Sequence, residues 1–176
     1  MTAAGSAFAR AAAAALLALI MVPGPAAGQL SSLRGHDTNA PVDFAADRIE
    51  VQDRADRAVL SGDVVVRQAG LTVRAGRLTL AYSDVGGIDV DRLDASGGVT
   101  VSSGGESARA NMAIYDLNRK IITMVGDVAL DAGGGEVRGG RLVIDLTSGR
   151  AVMEGGPSRA GGRVTGTFTV PQTAGR

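Results

Sequence analysis

The chain has 176 residues, with 18 basic against 18 acidic side chains, 26 glycines, one histidine, and neither cysteine nor tryptophan. Balanced charge supplies no basic field for a nucleic acid, and the lack of cysteine excludes disulfides and thiolate sites. The length fits one domain, and a chain that is 45% apolar and periodic in its patterning is not a disordered one.

From the N-terminus, Arg10 precedes an unbroken apolar run, Ala11 to Val22, followed by Pro23-Gly24-Pro25-Ala26-Ala27-Gly28. A membrane-spanning helix needs about 20 apolar residues, and this run is shorter. Ala26 and Gly28 suit the small-residue positions ahead of a cleavage point before Gln29. Residues 1–28 therefore read as a secretory signal peptide and the mature protein as an exported one. Retention of the segment as an anchor is the alternative, opposed by the helix-breaking Pro-Gly-Pro. Residues 29–41 form a polar, flexible leader that holds His36, with no second ligand nearby to make a metal site.

Residues 42–156 carry a repeat. Gly62-Asp63-Val64-Val65-Val66 is followed by Arg74-Ala75-Gly76-Arg77-Leu78-Thr79-Leu80, and Gly126-Asp127-Val128-Ala129-Leu130 by Arg138-Gly139-Gly140-Arg141-Leu142-Val143-Ile144. A middle copy, Gly97-Gly98-Val99-Thr100-Val101 then Asn111-Met112-Ala113-Ile114, reads as one residue shorter. Recurrence about every thirty residues signals stacking of one small unit. Within each copy the apolar residues alternate, which is the period of a β-strand with one apolar and one wet face. Three to four short strands per unit and no helix in the mature chain are expected.

The alternation places on one face, in chain order, Ile49 and Val51, then Leu60, Val64 and Val66, then Val73, Leu78 and Leu80. Leu93, Val99 and Val101 continue it, with Met112 and Ile114 in the middle copy. Ile122, Met124, Val128 and Leu130 follow, then Leu142, Ile144 and finally Met153. Asp53 to Arg57 is a charged turn, and Ser83 to Asp91 a loop or lengthened hairpin. Ser102 to Ser107 and Asp131 to Glu136 are glycine-rich hairpin tips. In residues 157–176, Thr165 to Val170 alternates once more as a last strand, and a frayed tail begins at Pro171.

No catalytic constellation is visible. One histidine without cysteine or Gly-x-Ser-x-Gly assembles no triad. Gly133-Gly134-Gly135 lacks the lysine and helix of a phosphate loop. Asp63 and Asp127 hold equivalent places beside a turn glycine, where a carboxylate satisfies backbone. No catalytic residue, cofactor or metal is expected.

The segments Val42-Asp43-Phe44-Ala45-Ala46-Asp47-Arg48-Ile49-Glu50-Val51 and Ala58 to Val66, with Ala113-Ile114-Tyr115-Asp116 leading into Ile122 to Val128, resemble the OstA-like family of periplasmic lipopolysaccharide-transport bridge proteins, the LptA family. The resemblance runs from about Asp43 to Gly155. It implies an elongated, incompletely closed β-jelly roll whose apolar inner face holds lipid acyl chains, which makes the face named above a lipid-binding one. It implies a periplasmic location and a carrier rather than an enzyme. The partners would be lipopolysaccharide, transport components of the inner and outer membranes, and further copies in head-to-tail assembly. Separately, the partial repeats at the two ends point to strand addition through Phe44–Val51 and the last strands (Val152 and Thr165–Val170). The chain departs from the family pattern in the Ser83–Asp91 insertion and in having a single lysine, Lys120, so headgroup contacts would fall to arginines. Two other readings stay open: an inner-membrane-tethered partner of the same machinery, and a secreted structural β-repeat module that binds no lipid.

Overall fold

The structure, a computed structural model, describes residues 28–29, 36–84, 86–156 and 162–169. The apolar run at Ala11–Val22 and the tail from Pro171 lie outside the described residues. The chain is all-β: β1 (Gly28–Gln29), β2 (Asp43–Ala45), β3 (Arg48–Gln52), β4 (Arg57–Gln68), β5 (Leu71–Asp84), β6 (Ile88–Ser103), β7 (Glu106–Asp116), β8 (Ile121–Ala132), β9 (Gly135–Asp145), β10 (Arg150–Glu154) and β11 (Thr165–Phe168). The charged turn at Asp53–Ala55 is a single turn of 3-10 helix.

All the strands belong to one antiparallel sheet, ordered β1-β10-β9-β8-β7-β6-β5-β4-β2, with β3 beside β4 and β11 beside β9. The expected set of short strands is in fact three long hairpins, β4-β5, β6-β7 and β8-β9. Each is interrupted at its middle by a register shift. In β4 the pair Gly62-Asp63 faces the single residue Gly76. Gly97-Gly98 of β6 likewise faces Asn111, and Gly126-Asp127 of β8 faces Gly140. Two residues opposite one is a β-bulge, which bends a strand and increases its twist. Both residues of each pair have positive φ, from 40° at Asp63 to 86° at Gly126. Glycine takes that conformation without penalty, and aspartate tolerates it better than most residues.

Because the bulges line up across six strands, they make one crease that folds the sheet over. The upper leaf holds residues 57–61, 77–84, 88–96, 112–116, 121–125 and 141–145. The lower leaf holds 64–68, 71–75, 99–103, 106–110, 128–132 and 135–139. Gln68 and Tyr115 show that the leaves face one another. They belong to different leaves and to strands separated by β5 and β6, yet the Tyr115 hydroxyl donates to Gln68 Oε1 at 2.8 Å.

Towards each side the layer flanking the hairpins is split in two at the crease. β3 pairs with the upper half of β4 and β2 with its lower half. β10 pairs with the upper half of β9 and β11 with its lower half. The sheet does not close on itself, which makes the fold an elongated, incompletely closed β-jelly roll. The Ser83–Asp91 insertion is a lengthened hairpin, with Tyr82, Ser83 and Asp84 opposite Val90, Asp89 and Ile88.

The crease also corrects the reading of the middle copy, which is not shortened. Leu78, Ala113 and Leu142 each stand sixteen positions after their glycine, Gly62, Gly97 and Gly126. Ala113 and Tyr115 are the buried residues of that segment, while Met112 is 55% exposed and Ile114 lies on the same outer side of the strand. Met112 is opposite Ser96 and Val125 on the outer face, and Ser96 in turn is opposite Arg77 of the preceding hairpin.

Candidate functional site

The inner surfaces of the two leaves form the candidate site. Leu60, Val64, Val66, Val73, Leu78, Leu80, Leu93, Val99, Val101, Ile122, Met124, Val128, Leu130, Leu142 and Ile144 are all buried in one aliphatic cluster, with Met153 packed against it. Leu71, Ala75, Ala108, Ala110, Ala113, Tyr115 and Leu146 also belong to it and were missed by the alternation, whereas Ala151, which alternates with Met153, follows it. Aligning the copies on Arg74, Arg109 and Arg138 would have found Ala75, Ala110, Ala113 and Tyr115.

Burying this surface drives the fold over, at roughly 25 cal/mol for each Å² of apolar area removed from water. Among the described residues Gln68 is the one buried polar side chain, at 4% exposure, and no charged side chain is buried. Charge lies on the outside. Arg74, Arg109 and Arg138 sit in one row across the lower leaf, joined through the Thr100 and Ala129 positions, and are exposed. Outer ion pairs such as Arg92–Asp94 at 2.7 Å and Arg141–Glu154 at 2.9 Å stand in solvent, where such pairs contribute little.

The apolar face does not stop where the core stops. Ile49 and Val51 pair with Leu60 and Ala58, and Phe44 pairs with Val66, so all three lie on the inner side. They are nevertheless 46%, 60% and 49% exposed, because β2 and β3 form the edge of the sheet and carry no further strand among the described residues.

Inside, the leaves touch. The void enclosed by Val42, Val66, Gln68, Leu71, Val73, Leu93 and Tyr115 is about 10 Å³, no more than the smallest space that takes one water. The interior at that point is a packed core and not an open channel.

Where the leaves meet at the mouth, Gln68 organises the contacts. Its Nε2 donates to the carbonyls of Thr38 at 3.1 Å and Ala40 at 3.0 Å, and its Oε1 accepts from Tyr115. His36 Nε2 stands 3.5 Å from the same oxygen. The part of the polar leader that is described, residues 36–41, is thus tied to the core and not loose, and Val42 packs on the inner cluster. Burial pushes the Tyr115 phenol up to about 12, since the anion would lose its water. A cleft of about 640 Å³ lies between this segment, the start of β6 at Ile88–Val90 and the turn at Leu117–Lys120.

Asp145 has a local task. Its Oδ1 accepts from the backbone N–H of Thr147 and Ser148, at 2.8 and 3.1 Å, and those bonds hold its carboxyl below the usual range. It shapes the β9–β10 turn. Among the described residues no three His, Asp or Glu side chains converge as a metal site would require.

Residues 44–150 match the family described as "LptA/(LptD N-terminal domain) LPS transport protein". An uncharacterised protein of Rhizobium meliloti (strain 1021) is 30% identical over 131 residues, which cover 70% of this chain and 68% of that protein. The crystal structure of LptH, described as the LptA-homologous periplasmic component of the lipopolysaccharide transport device of Pseudomonas aeruginosa, superposes with a TM-score of 0.67. The superposition covers 77% of this chain and 99% of that one at 16% identity, and it is a likeness of fold.

Proposed function

Since the chain belongs to the LptA/LptD N-terminal-domain family of lipopolysaccharide transport proteins, we propose that it carries lipopolysaccharide through the periplasm by holding the acyl chains against its inner face, as one link of a bridge between the two membranes. The observation that carries this reading is the continuity of the inner face. Aliphatic side chains run over every strand from β4 to β9 without a buried charge, and the face emerges uncovered at Phe44, Ile49 and Val51.

Transport through water needs such a surface. Each exposed methylene costs about 0.8 kcal/mol, so a tail of about 14 carbons costs roughly 11 kcal/mol. Aliphatic lining removes that cost without fixing the tail in one place. The packed interior means that the leaves part to admit a tail, and the crease is where they hinge. The uncovered edge β2–β3 is suited to accept a strand from a neighbour, which would join two inner faces end to end. Heterologous contacts of that kind build open chains rather than closed rings.

The test is site-specific photocrosslinking in the periplasm, with the photoreactive side chain at Ile49 or Val51. Both are exposed on the inner side, so the probe does not disturb packing, whereas Asp at Val128 or Ile144 would put an unpaired charge in the core and unfold the protein. Lipopolysaccharide adducts at both positions, and none from a probe at the outward Met112, are expected. Adducts of equal yield at Met112, or the absence of lipid from the purified protein by mass spectrometry, would end the proposal.

A further inference from the structure

The two residues that meet across the mouth are also the two that break the repeat. Counting from the crease glycines, Gln68 occupies the position of Ser103 and Ala132, and Tyr115 the position of Leu80 and Ile144. Each hairpin copy could have carried a small or aliphatic side chain there. Instead one copy supplies a long amide and another a phenol, and they hydrogen-bond to each other.

Nothing in a purely apolar core calls for this pair. A buried amide is tolerated only when its groups are satisfied, and here both amide hydrogens and the carbonyl oxygen of Gln68 are used. The arrangement is also directional. Tyr115 belongs to the upper leaf, Gln68 to the lower leaf, and Thr38 and Ala40 to the segment that crosses between them. Three pieces of chain that must separate for the mouth to open are joined at one side chain.

We infer that Gln68, Tyr115 and residues 36–42 form a clasp that holds the mouth of the roll shut, and that its release admits hydrocarbon between the leaves. This rests on the carriage reading for its second half only. The clasp is suited to reversible opening. Polar bonds exchanged for water cost little net free energy once the site is wet, whereas the aliphatic contacts beneath them are lost only as a tail replaces them. Thr38, Ala40 and Gln68 all line the cleft of about 640 Å³, which is the side from which water would enter as the bonds open.

Two variants test it in the full secreted chain. Tyr115→Phe keeps the ring and deletes the cross-leaf donor. Asn39→Cys with Asp89→Cys places thiols on opposite walls of the cleft, both exposed and distant from the packed interior, in a chain with no cysteine of its own. A short bis-maleimide with a reducible disulfide would staple the segment down. The readouts are stopped-flow uptake of N-phenylnaphthylamine, an uncharged apolar fluorophore, and hydrogen exchange of the amides at 36–42.

Tyr115→Phe should take up the fluorophore about fivefold faster, the factor that one lost hydrogen bond of ordinary strength gives. Its amides at 36–42 should exchange faster through local opening, while those of β8 and β9 stay far slower and follow only the loss of global stability. The stapled protein should lose uptake until it is reduced. Uptake at the same rate with and without the staple, or amides at 36–42 that do not respond to Tyr115→Phe, would overturn the clasp. Uptake by no form of the protein would overturn carriage and the second half of the inference, and the exchange rates would then decide the clasp alone.

Discussion

Tyr115 and Gln68 are joined by a 2.8 Å hydrogen bond although two whole strands, β5 and β6, lie between theirs in the sheet. The bond is a measure of how far the crease folds the sheet. Removing it by Tyr115→Phe leaves the buried Gln68 carbonyl with only the 3.5 Å approach of His36. Urea unfolding should show a loss of about 1–3 kcal/mol, the cost of an unmet buried polar group.

The same phenol predicts a dependence on alkaline pH. Its folded value is pushed up to about 12, above the ordinary value of about 10. A value raised by folding stabilises the native state fully below the unfolded value, and the contribution is lost as pH climbs through the folded one. Stability measured by denaturant should therefore fall between about pH 10 and pH 12, and the part due to Tyr115 should be missing from Tyr115→Phe.

The crease predicts its own sensitivity. Gly126 has φ of 86°, and a Cβ there would lie 2.8 Å from Asn111 Nδ2. Gly126→Ala should cost about 1–3 kcal/mol, as strained left-handed positions do. Asp127→Asn should be near neutral, because asparagine accepts its φ of 48°. Equal losses from both would show that the bend does not depend on these conformations.

The phase of the middle hairpin is tested at Met112, with the equivalent inward place of the next hairpin as the reference. Met112→Gln, on the outer face, should change stability by less than about 0.5 kcal/mol. Leu142→Ala, at a fully buried place, should cost about 2–5 kcal/mol. Thermal or urea melts of the two proteins separate this arrangement from the one in which Met112 faces inward.

Edge chemistry is tested at β3. Val51→Lys adds a charge to an uncovered strand and should leave the monomer's melting unchanged while lowering any self-association seen by light scattering at rising concentration. Undiminished association of the lysine variant would exclude this edge from the contact.

Much of the fold was legible because alternation reports which side of a strand is buried, and glycine reports where the backbone turns. Val64, Val66, Val99, Val101, Val128 and Leu130 follow the rule on the far side of each bulge, and Thr165–Phe168 is indeed a strand. The middle copy misled for a physical reason. On β7 the phase of burial shifts at Asn111, so small Ala113 is inside while the more apolar Met112 is outside. Hydropathy ranks side chains, and it does not see a bulge on the neighbouring strand. Gln68 was invisible for the opposite reason: it looks like the polar end of a strand, and only the meeting of two leaves gives it partners. Leu146 was missed because it lies in a turn, beyond the reach of strand periodicity, yet its backbone N–H is held by the Lys120 carbonyl and its side chain turns inward.

Curvature in this molecule is generated hairpin by hairpin, at Gly62-Asp63, Gly97-Gly98 and Gly126-Asp127. Cross-section and length are therefore independent variables. Duplicating one hairpin would extend the molecule by about 10 Å, two strand spacings, with the profile unaltered. A lineage could set the reach of such a protein by counting modules, with no need to redesign any of them.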